Sequence, residues 1–337
     1  MHADQSVAFK PADMPLAPFE VQYLTPAAFK ASSDPSILGV IAYGAYEPDG
    51  QADYPVASTC LDPLDEDCIL EVWSSPDPVS YHRSGALKAS ITERICFGSI
   101  EIKQGEGEAL EPIIQHAYDT LLSFLGDHSF PAPIRFWNYL PFINDDDQGM
   151  ERYRRFNIGR YDSFAARLGL SVPPVASALG GHAGNIVVYF LAAREPAETI
   201  ENPRQVSAYA YPAIYGPRSP LFSRSAIFRG DHCPYFMISG TASIVGHESR
   251  HPGDVDAQAV ETLTNIRALI QEAERQGFPR TGKSWFLKIY VRHPEDLERI
   301  RGHIQEILGS DDHCIYLHAD ICRPELLLEL EGVCIAS

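Results

Sequence analysis

Apolar and polar positions alternate in two distinct rhythms along this chain, and the rhythms predict its elements. Short apolar runs read as buried strands: Ile37 to Gly44, Cys68 to Trp73, Ile91 to Lys103, Ile134 to Leu140 and Asn185 to Ala193. Ser207 to Ile214 reads as one more. Leu110, Ile113, Ile114, Ala117, Leu121 and Leu125 keep helical spacing, which predicts a helix over Glu108 to Gly126. A second helix is expected over Met150 to Leu168, ended by Gly169. Residues 1–35, rich in Pro and Ala, read as an irregular lead-in, and residues 45–67 as a long loop.

The second half repeats this order. A strand covers Tyr235 to Ala242, and a helix runs from Val255 to Gln276 between an Asp254 cap and Gly277. Leu263, Ile266 and Ile270 form its stripe, with Ala259 before it. A strand at Trp285 to Val291, a helix after Pro294, and strands at Cys314 to Ile321 and Leu326 to Cys334 follow. Strand, helix, strand, helix, strand, strand thus occurs twice. That order implies an α/β chain of the α+β kind, built from two modules at 36–220 and 221–337. Each module is expected to be a mixed sheet with helices packed on one face.

The last strand carries a chemical signal. Leu326, Leu328 and Leu330 share one face, which suits the helix layer. Glu329 and Glu331 share the other with Leu327. A cleft between two modules would hold Glu329, and two neighbouring carboxylates in a dry cleft push at least one pKa upward. A carboxyl kept protonated that way can deliver a proton at neutral pH. The competing reading is an exposed strand face with ordinary glutamates.

Charge and composition narrow the partners. The formal net charge of −18 argues against nucleic acid or an anionic membrane surface. No apolar run is long enough to span a bilayer, and the first residues show no signal-peptide pattern. The seven cysteines are scattered without a C-x-x-C pair, which suits reduced thiols in a cytoplasm.

In an acidic chain, an anion site needs locally concentrated arginines. Arg135 to Pro141 carries Arg135, Asn138 and Tyr139; Glu151 to Arg160 carries four arginines. Arg152, Arg154 and Arg155 fit a solvated helix face. Arg218 and Arg224, among rigid Pro and aromatic residues from Tyr211 onward, are better ligands for a small polyanion. His247 to His251 matches H-E-x-x-H, but Gly246 before it and Pro252-Gly253 after it leave no room for the required helix, so no metal site is expected. Cys322 has no identifiable base nearby and suits a pocket wall better than a nucleophile. No phosphate loop or dinucleotide fingerprint is present; Thr281-Gly-Lys283 lacks the glycine spacing. Small residues from Ser239 to Ser243, Ala242 among them, let a ligand approach a backbone closely.

Taken in order, several blocks carry a resemblance. Ile238 to Glu248, the helix over Asp256 to Ala273, Lys288-Ile-Tyr-Val291 and Leu328-Glu-Leu-Glu-Gly332 look like the RidA/YjgF module. With Phe136-Trp-Asn-Tyr-Leu-Pro, Phe156-Asn-Ile-Gly-Arg160, Tyr215-Gly-Pro-Arg-Ser-Pro220 and Ala319-Asp-Ile-Cys-Arg323, the chain resembles the chorismatases. The resemblance implies two RidA-like halves and cofactor-free cleavage of chorismate, with Glu329 as the acid and Glu331 tuning or positioning it. It implies Arg160, Arg218 and Arg224 on the two substrate carboxylates, with Tyr139, Tyr211 and Tyr215 orienting the ring. Gly240 and Cys322 match the branch that forms 3-hydroxybenzoate and pyruvate through an arene oxide. Other branches add water to give a dihydroxycyclohexadiene carboxylate, or yield mixed 3- and 4-hydroxybenzoate. A non-catalytic metabolite-binding protein or an imine deaminase could be built on the same modules. Two fused units could replace subunit contacts, which implies a monomer.

Overall fold

In the computed structural model, residues 17–32, 36–48, 52–169, 172–230, 233–308 and 313–336 are described. Much of the expected lead-in, residues 1–16 and 33–35, therefore lies outside them. Its remainder is not irregular. Strand β1 (Glu20–Leu24) and a short helix α1 (Pro26–Ala31) precede β2 (Ile37–Gly44), β3 (Val56–Ser58) and β4 (Cys68–Ser74). These four strands form one sheet in the order β1-β4-β2-β3. The loop expected over 45–67 contributes β3 and a short strand, Asp62–Pro63.

The first repeat consists of β5 (Ser80–Ser84), β6 (Leu87–Ile91), β7 (Ile95–Ile102), α2 (Leu110–Asp127), β8 (Ala132–Tyr139), α3 (Arg152–Arg167), β9 (Val175–Leu179) and β10 (Ile186–Ala193). The second consists of β11 (Glu198–Ile200), β12 (Ser225–Arg229), β13 (Pro234–Thr241), α4 (Val255–Arg275), β14 (Lys283–Val291), α5 (Leu297–Leu308), β15 (Cys314–His318) and β16 (Leu328–Ala336). The first sheet order is β9-β8-β10-β7-β6-β5; the second is β15-β14-β16-β13-β12-β11, extended by Asp62–Pro63. In each, one pair is parallel, β9 with β8 and β15 with β14. The duplication read from element order is thus a duplication of strand order and pairing sense. The second sheet borrows β11 and Asp62–Pro63 from the chain before residue 220.

Two sequence expectations fail for local reasons. Ser207 to Ile214 forms two single-turn 3-10 helices, Ala208–Ala210 and Ala213–Tyr215, because Pro212 has no N–H for a ladder. The run Ile91 to Lys103 is broken by a turn in which the Thr92 hydroxyl accepts from the Arg94 and Ile95 amides, at 3.2 and 3.1 Å.

Three cores result. Helices α2 and α3 cover one face of the first sheet, and α4 and α5 one face of the second. Leu328 and Leu330 face α4 and α5 as the alternation predicted, while Leu326 precedes the strand and joins the central core. That core lies where the opposite sheet faces meet each other and the N-terminal sheet, around Trp73, Trp137, Tyr189 and Tyr290. Asp254 caps α4 by accepting from the Ala257 amide at 3.1 Å.

Candidate active site

The site begins with a register fault. In the β13–β16 pairing, Ile238 faces Gly332 and Thr241 faces Leu330, so Ser239 and Gly240 together oppose Glu331. Such a bulge bends the strand and re-aims its side chains. Gly240 faces Glu329 across it: a β-carbon there would sit 1.9 Å from the Glu329 Oε1 and 3.3 Å from the Ser177 Cβ. Glycine is what lets Glu329 occupy this place.

Behind Glu329 lies a buried charge network. Lys288 Nζ stands 3.0 Å from Glu331 Oε1 and 2.9 Å from Glu71 Oε2, and it donates to the Tyr189 hydroxyl at 2.6 Å. Arg135 pairs with the other Glu331 oxygen and donates to Ser177 Oγ at 3.2 Å. Tyr290 donates to Glu331 Oε1 at 2.7 Å, and Trp73 donates to Glu71 Oε1 at 2.9 Å. Two cations thus face two anions, and the account closes without Glu329. Burial alone would raise the Glu331 carboxyl, but Lys288 and Arg135, with the Ser177 and Tyr290 hydroxyls, outweigh it and hold that group below the ordinary range.

Glu329 is in the opposite position. It is 4 % exposed and forms no ion pair among the described residues. Burial first, and the Glu331 charge second, push its carboxyl up to about 8, against smaller opposing effects of Arg135 and Arg224. Lys288 and Arg135 are taken up by Glu71 and Glu331, and no cation pairs directly with Glu329, so burial wins and favours its protonated form.

A cavity of about 500 Å³ opens in front of this acid. Helix α3, edge strand β9, the 211–224 segment, the Gly240–Ile244 bend and the 322–325 loop wall it. Arg160 and Arg224 line it at 3 % and 2 % exposure, and neither forms an ion pair among the described residues. Arg160 Nε and Nη2 and Arg224 Nε have no hydrogen-bond partner among the described residues. Arg160 is instead seated among aromatic faces, 4.7 Å from the Phe164 ring centre and 5.4 Å from that of Tyr118. Arg224 donates to the Tyr211 hydroxyl at 2.6 Å. Buried guanidinium groups without carboxylates await an anion, and two of them suit a dianion.

Of the other residues singled out in the sequence, Ala242, Cys322, Tyr211 and Tyr215 line the same cavity. Burial, then the Glu329 charge, push the Cys322 thiol up to about 12, which keeps it a neutral wall. Glu331 and Tyr139 stand behind the cavity in the network, where the Tyr139 and Tyr290 hydroxyls meet at 2.9 Å. Arg218 lies outside it, exposed, with its guanidinium 4.5 Å from the Tyr161 ring centre. Of Arg152, Arg154 and Arg155, expected on a solvated face, only Arg154 is exposed, at 43 %, and it pairs with Glu151 at 3.2 Å on the cavity rim; Arg152 and Arg155 are largely buried and pair with Asp147 and Glu111 respectively. His247 and His251 sit on and just beyond a short hairpin, Ile244–Val245 with Glu248–Ser249, and not on one helical face.

Sequence reasoning missed Lys288, Glu71 and Ser177. A signal existed for the first two, since each is the lone charge in an otherwise apolar strand run, Trp285 to Val291 and Cys68 to Trp73. Ser177 gave none.

Fold and pocket together form one cavity in which a carboxyl with a raised pKa faces two buried guanidinium groups. The family model described as Chorismatase FkbO/Hyg5-like, N-terminal, matches residues 71–192. A chorismatase of Streptomyces rapamycinicus is 32% identical over 317 residues, covering 89% of this chain and 93% of its own. A 3-hydroxybenzoate synthase of Streptomyces hygroscopicus is 34% identical over 315 residues, covering 88% and 91%. A crystal structure of a chorismatase superimposes with a TM-score of 0.85 at 30% identity, over 94% of this chain and 98% of that one. The chain belongs to the chorismatase family.

Proposed function

We propose that this protein converts chorismate into 3-hydroxybenzoate and pyruvate. Chorismate is a dianion with an enolpyruvyl ether on a cyclohexadiene ring. Arg160 and Arg224 hold its two carboxylates and set the methylene carbon against Glu329. Glu329 transfers its proton to that carbon. The ether oxygen becomes part of an oxocarbenium ion, and the ring C–O bond breaks with its electron pair going to that oxygen, so pyruvate leaves as a neutral ketone. The neighbouring ring hydroxyl attacks the vacated carbon and loses its proton, giving an arene oxide. Opening and aromatisation yield 3-hydroxybenzoate. One proton enters and one leaves, so Glu329 is restored, and the products together are isomeric with the substrate. No redox partner is needed for that balance.

The observation that carries this reading is the neutral Glu329 facing two unpaired guanidinium groups across one cavity. The 34% identical relative named 3-hydroxybenzoate synthase supports the product. Gly240 and Cys322 act as the walls that keep water from the reacting carbon. The test is incubation with chorismate and chromatographic identification of products. Equal amounts of pyruvate and 3-hydroxybenzoate are expected; a dihydroxycyclohexadiene carboxylate as sole product refutes the branch, and no pyruvate refutes the enzyme reading. Gly240→Ala with Cys322→Val, which reshapes both walls, should divert product toward hydrolysis.

We further propose a two-module division at 220/221, a monomer, no nucleic-acid partner and a cytoplasmic setting. The free cysteines support that setting, and no described helix is long and apolar enough to cross a membrane. A mass of about twice the chain mass of 37.3 kDa in light scattering would reject the monomer.

A further inference from the structure

Arg292 does not line the cavity, yet one wall of the cavity hangs on it. It directly follows β14, and its side chain is 11% exposed. Its Nε donates to the Leu326 carbonyl at 2.7 Å, and its Nη2 to the Ile321 and Arg323 carbonyls at 3.1 Å each. Nη1 pairs with the Asp320 carboxylate. Nη2 also reaches Asn144 Oδ1 at 3.2 Å, and Asn144 belongs to the first module.

These acceptors bracket the loop from Asp320 to Leu326, which brings Cys322 and Arg323 to the cavity. Asn144 lines the cavity from the other side. Other contacts hold this loop to the second module: Arg323 donates to the His247 carbonyl at 3.0 Å, and Ser249 and Gln258 donate to Glu325 at 2.6 and 2.9 Å. Toward the first module it has the backbone bridge between Asp320 and Gly180 and the Arg292–Asn144 contact. Glu329 is fixed separately, by pairing with Tyr290 in the β14–β16 ladder. One planar fork of donors therefore sets the wall at Cys322 and Asn144 together, without touching the acid.

We propose that Arg292 is a positioning residue that holds this wall closed against water and so directs the cation toward intramolecular attack. The inference rests on the function proposed above. Both routes begin with proton transfer from Glu329 and release one pyruvate. The intramolecular route consumes no water; the hydrolytic route consumes one, which places a new hydroxyl on the ring. A loosened wall leaves the proton transfer in place and changes the fate of the ring.

The experiment measures 3-hydroxybenzoate and the dihydroxycyclohexadiene carboxylate per pyruvate formed, for wild type, Arg292→Met and Arg292→Lys. Arg94→Met, which breaks a remote pair with Asp77 at 2.7 Å, reports what general destabilisation does. We expect the hydrated product per pyruvate to rise about tenfold in Arg292→Met, about 1.4 kcal/mol in relative barrier, and less in Arg292→Lys. Arg94→Met should leave the ratio unchanged. Should Arg292→Met fail to fold, Asn144→Ala removes one of the same contacts and must shift the ratio in the same direction. Wild-type product partition in folded variants overturns the positioning role, as does an equal shift in Arg94→Met. A wild-type protein that makes no 3-hydroxybenzoate overturns the functional reading, and this inference with it.

Discussion

The two repeats share strand order and pairing, yet only the second carries the proposed acid, Glu329. Tyr139 of β8 and Tyr290 of β14 occupy equivalent places, each opposite a leucine of the parallel neighbour, Leu179 and Leu317. Their antiparallel partners are Val187 in the first repeat and Glu329 in the second. Two residues back, Trp137 faces Tyr189 where Lys288 faces Glu331. Where the first sheet shows the central core an apolar and aromatic face, the second shows it charge. The first repeat is not idle: it supplies Arg135, Ser177 and Arg160 around the second repeat's glutamates. A duplicated frame thus gives one asymmetric site: the second repeat supplies both glutamates with Lys288 and Arg224, and the first adds Arg135 and Arg160.

Removing the acid should break the comparison most strongly. Glu329→Gln keeps the shape and loses the proton, and kcat for pyruvate release should fall about 10³-fold with an unchanged circular dichroism spectrum. Turnover within a factor of about three of wild type would move the acid elsewhere. Next in size is Lys288→Met, which leaves Glu71 and Glu331 sharing one cation. It should cost ~3 kcal/mol of stability in denaturant unfolding, with Lys288→Met/Glu71→Gln recovering a large part. If the single variant is as stable as wild type, the network is not what separates the halves.

Arg160→Leu tests the first repeat's contribution. Losing a charged, bidentate contact should lower kcat/KM about 100-fold, mostly through KM. An effect confined to kcat would assign Arg160 to the chemical step. Tyr189→Phe, which removes hydroxyl contacts to Lys288 and Glu71, should cost only ~1 kcal/mol and leave the product unchanged.

The gentlest probe is pH. With Glu329 as the proposed acid, the rate should be flat in the neutral range and fall tenfold per unit above about 8. The stability sign follows the same proton. The folded Glu329 binds a proton that the unfolded chain releases, so this contribution is full below the ordinary carboxyl range and lost as pH rises toward 8. Glu331 behaves oppositely: its contribution is present above the ordinary range and lost as pH falls through its lowered value. In Glu329→Gln the loss between the ordinary carboxyl range and about pH 8 should vanish from urea midpoints measured across pH, and its persistence would assign that proton to another group.

Much of this site was legible in the sequence because period-2 alternation is local. Leu328 and Leu330 on one face and Glu329 and Glu331 on the other follow from the pleat alone. Element order likewise announced the duplication, and Asp254 and Gly277 marked the ends of α4. The Ser207 to Ile214 misreading shows where locality misleads: an apolar composition suggested a strand, but Pro212 and the neighbouring contacts fixed turns. Arg218 looked as favourable as Arg224, since both sit among Pro and aromatic residues. Only packing separates them, one turned outward onto Tyr161 and one buried at the cavity.

The sequence by itself determined the elements, their repetition and the side of the last strand on which the carboxylates fall, because each depends on neighbours a few residues apart. Tertiary structure decided which carboxylate is neutral. Arg135 reaches Glu331 across 196 positions and Lys288 reaches Glu71 across 217. The protonation of Glu329 depends on which charges those contacts leave unbalanced in a dry interior, a property of distances in space that no spacing along the chain encodes.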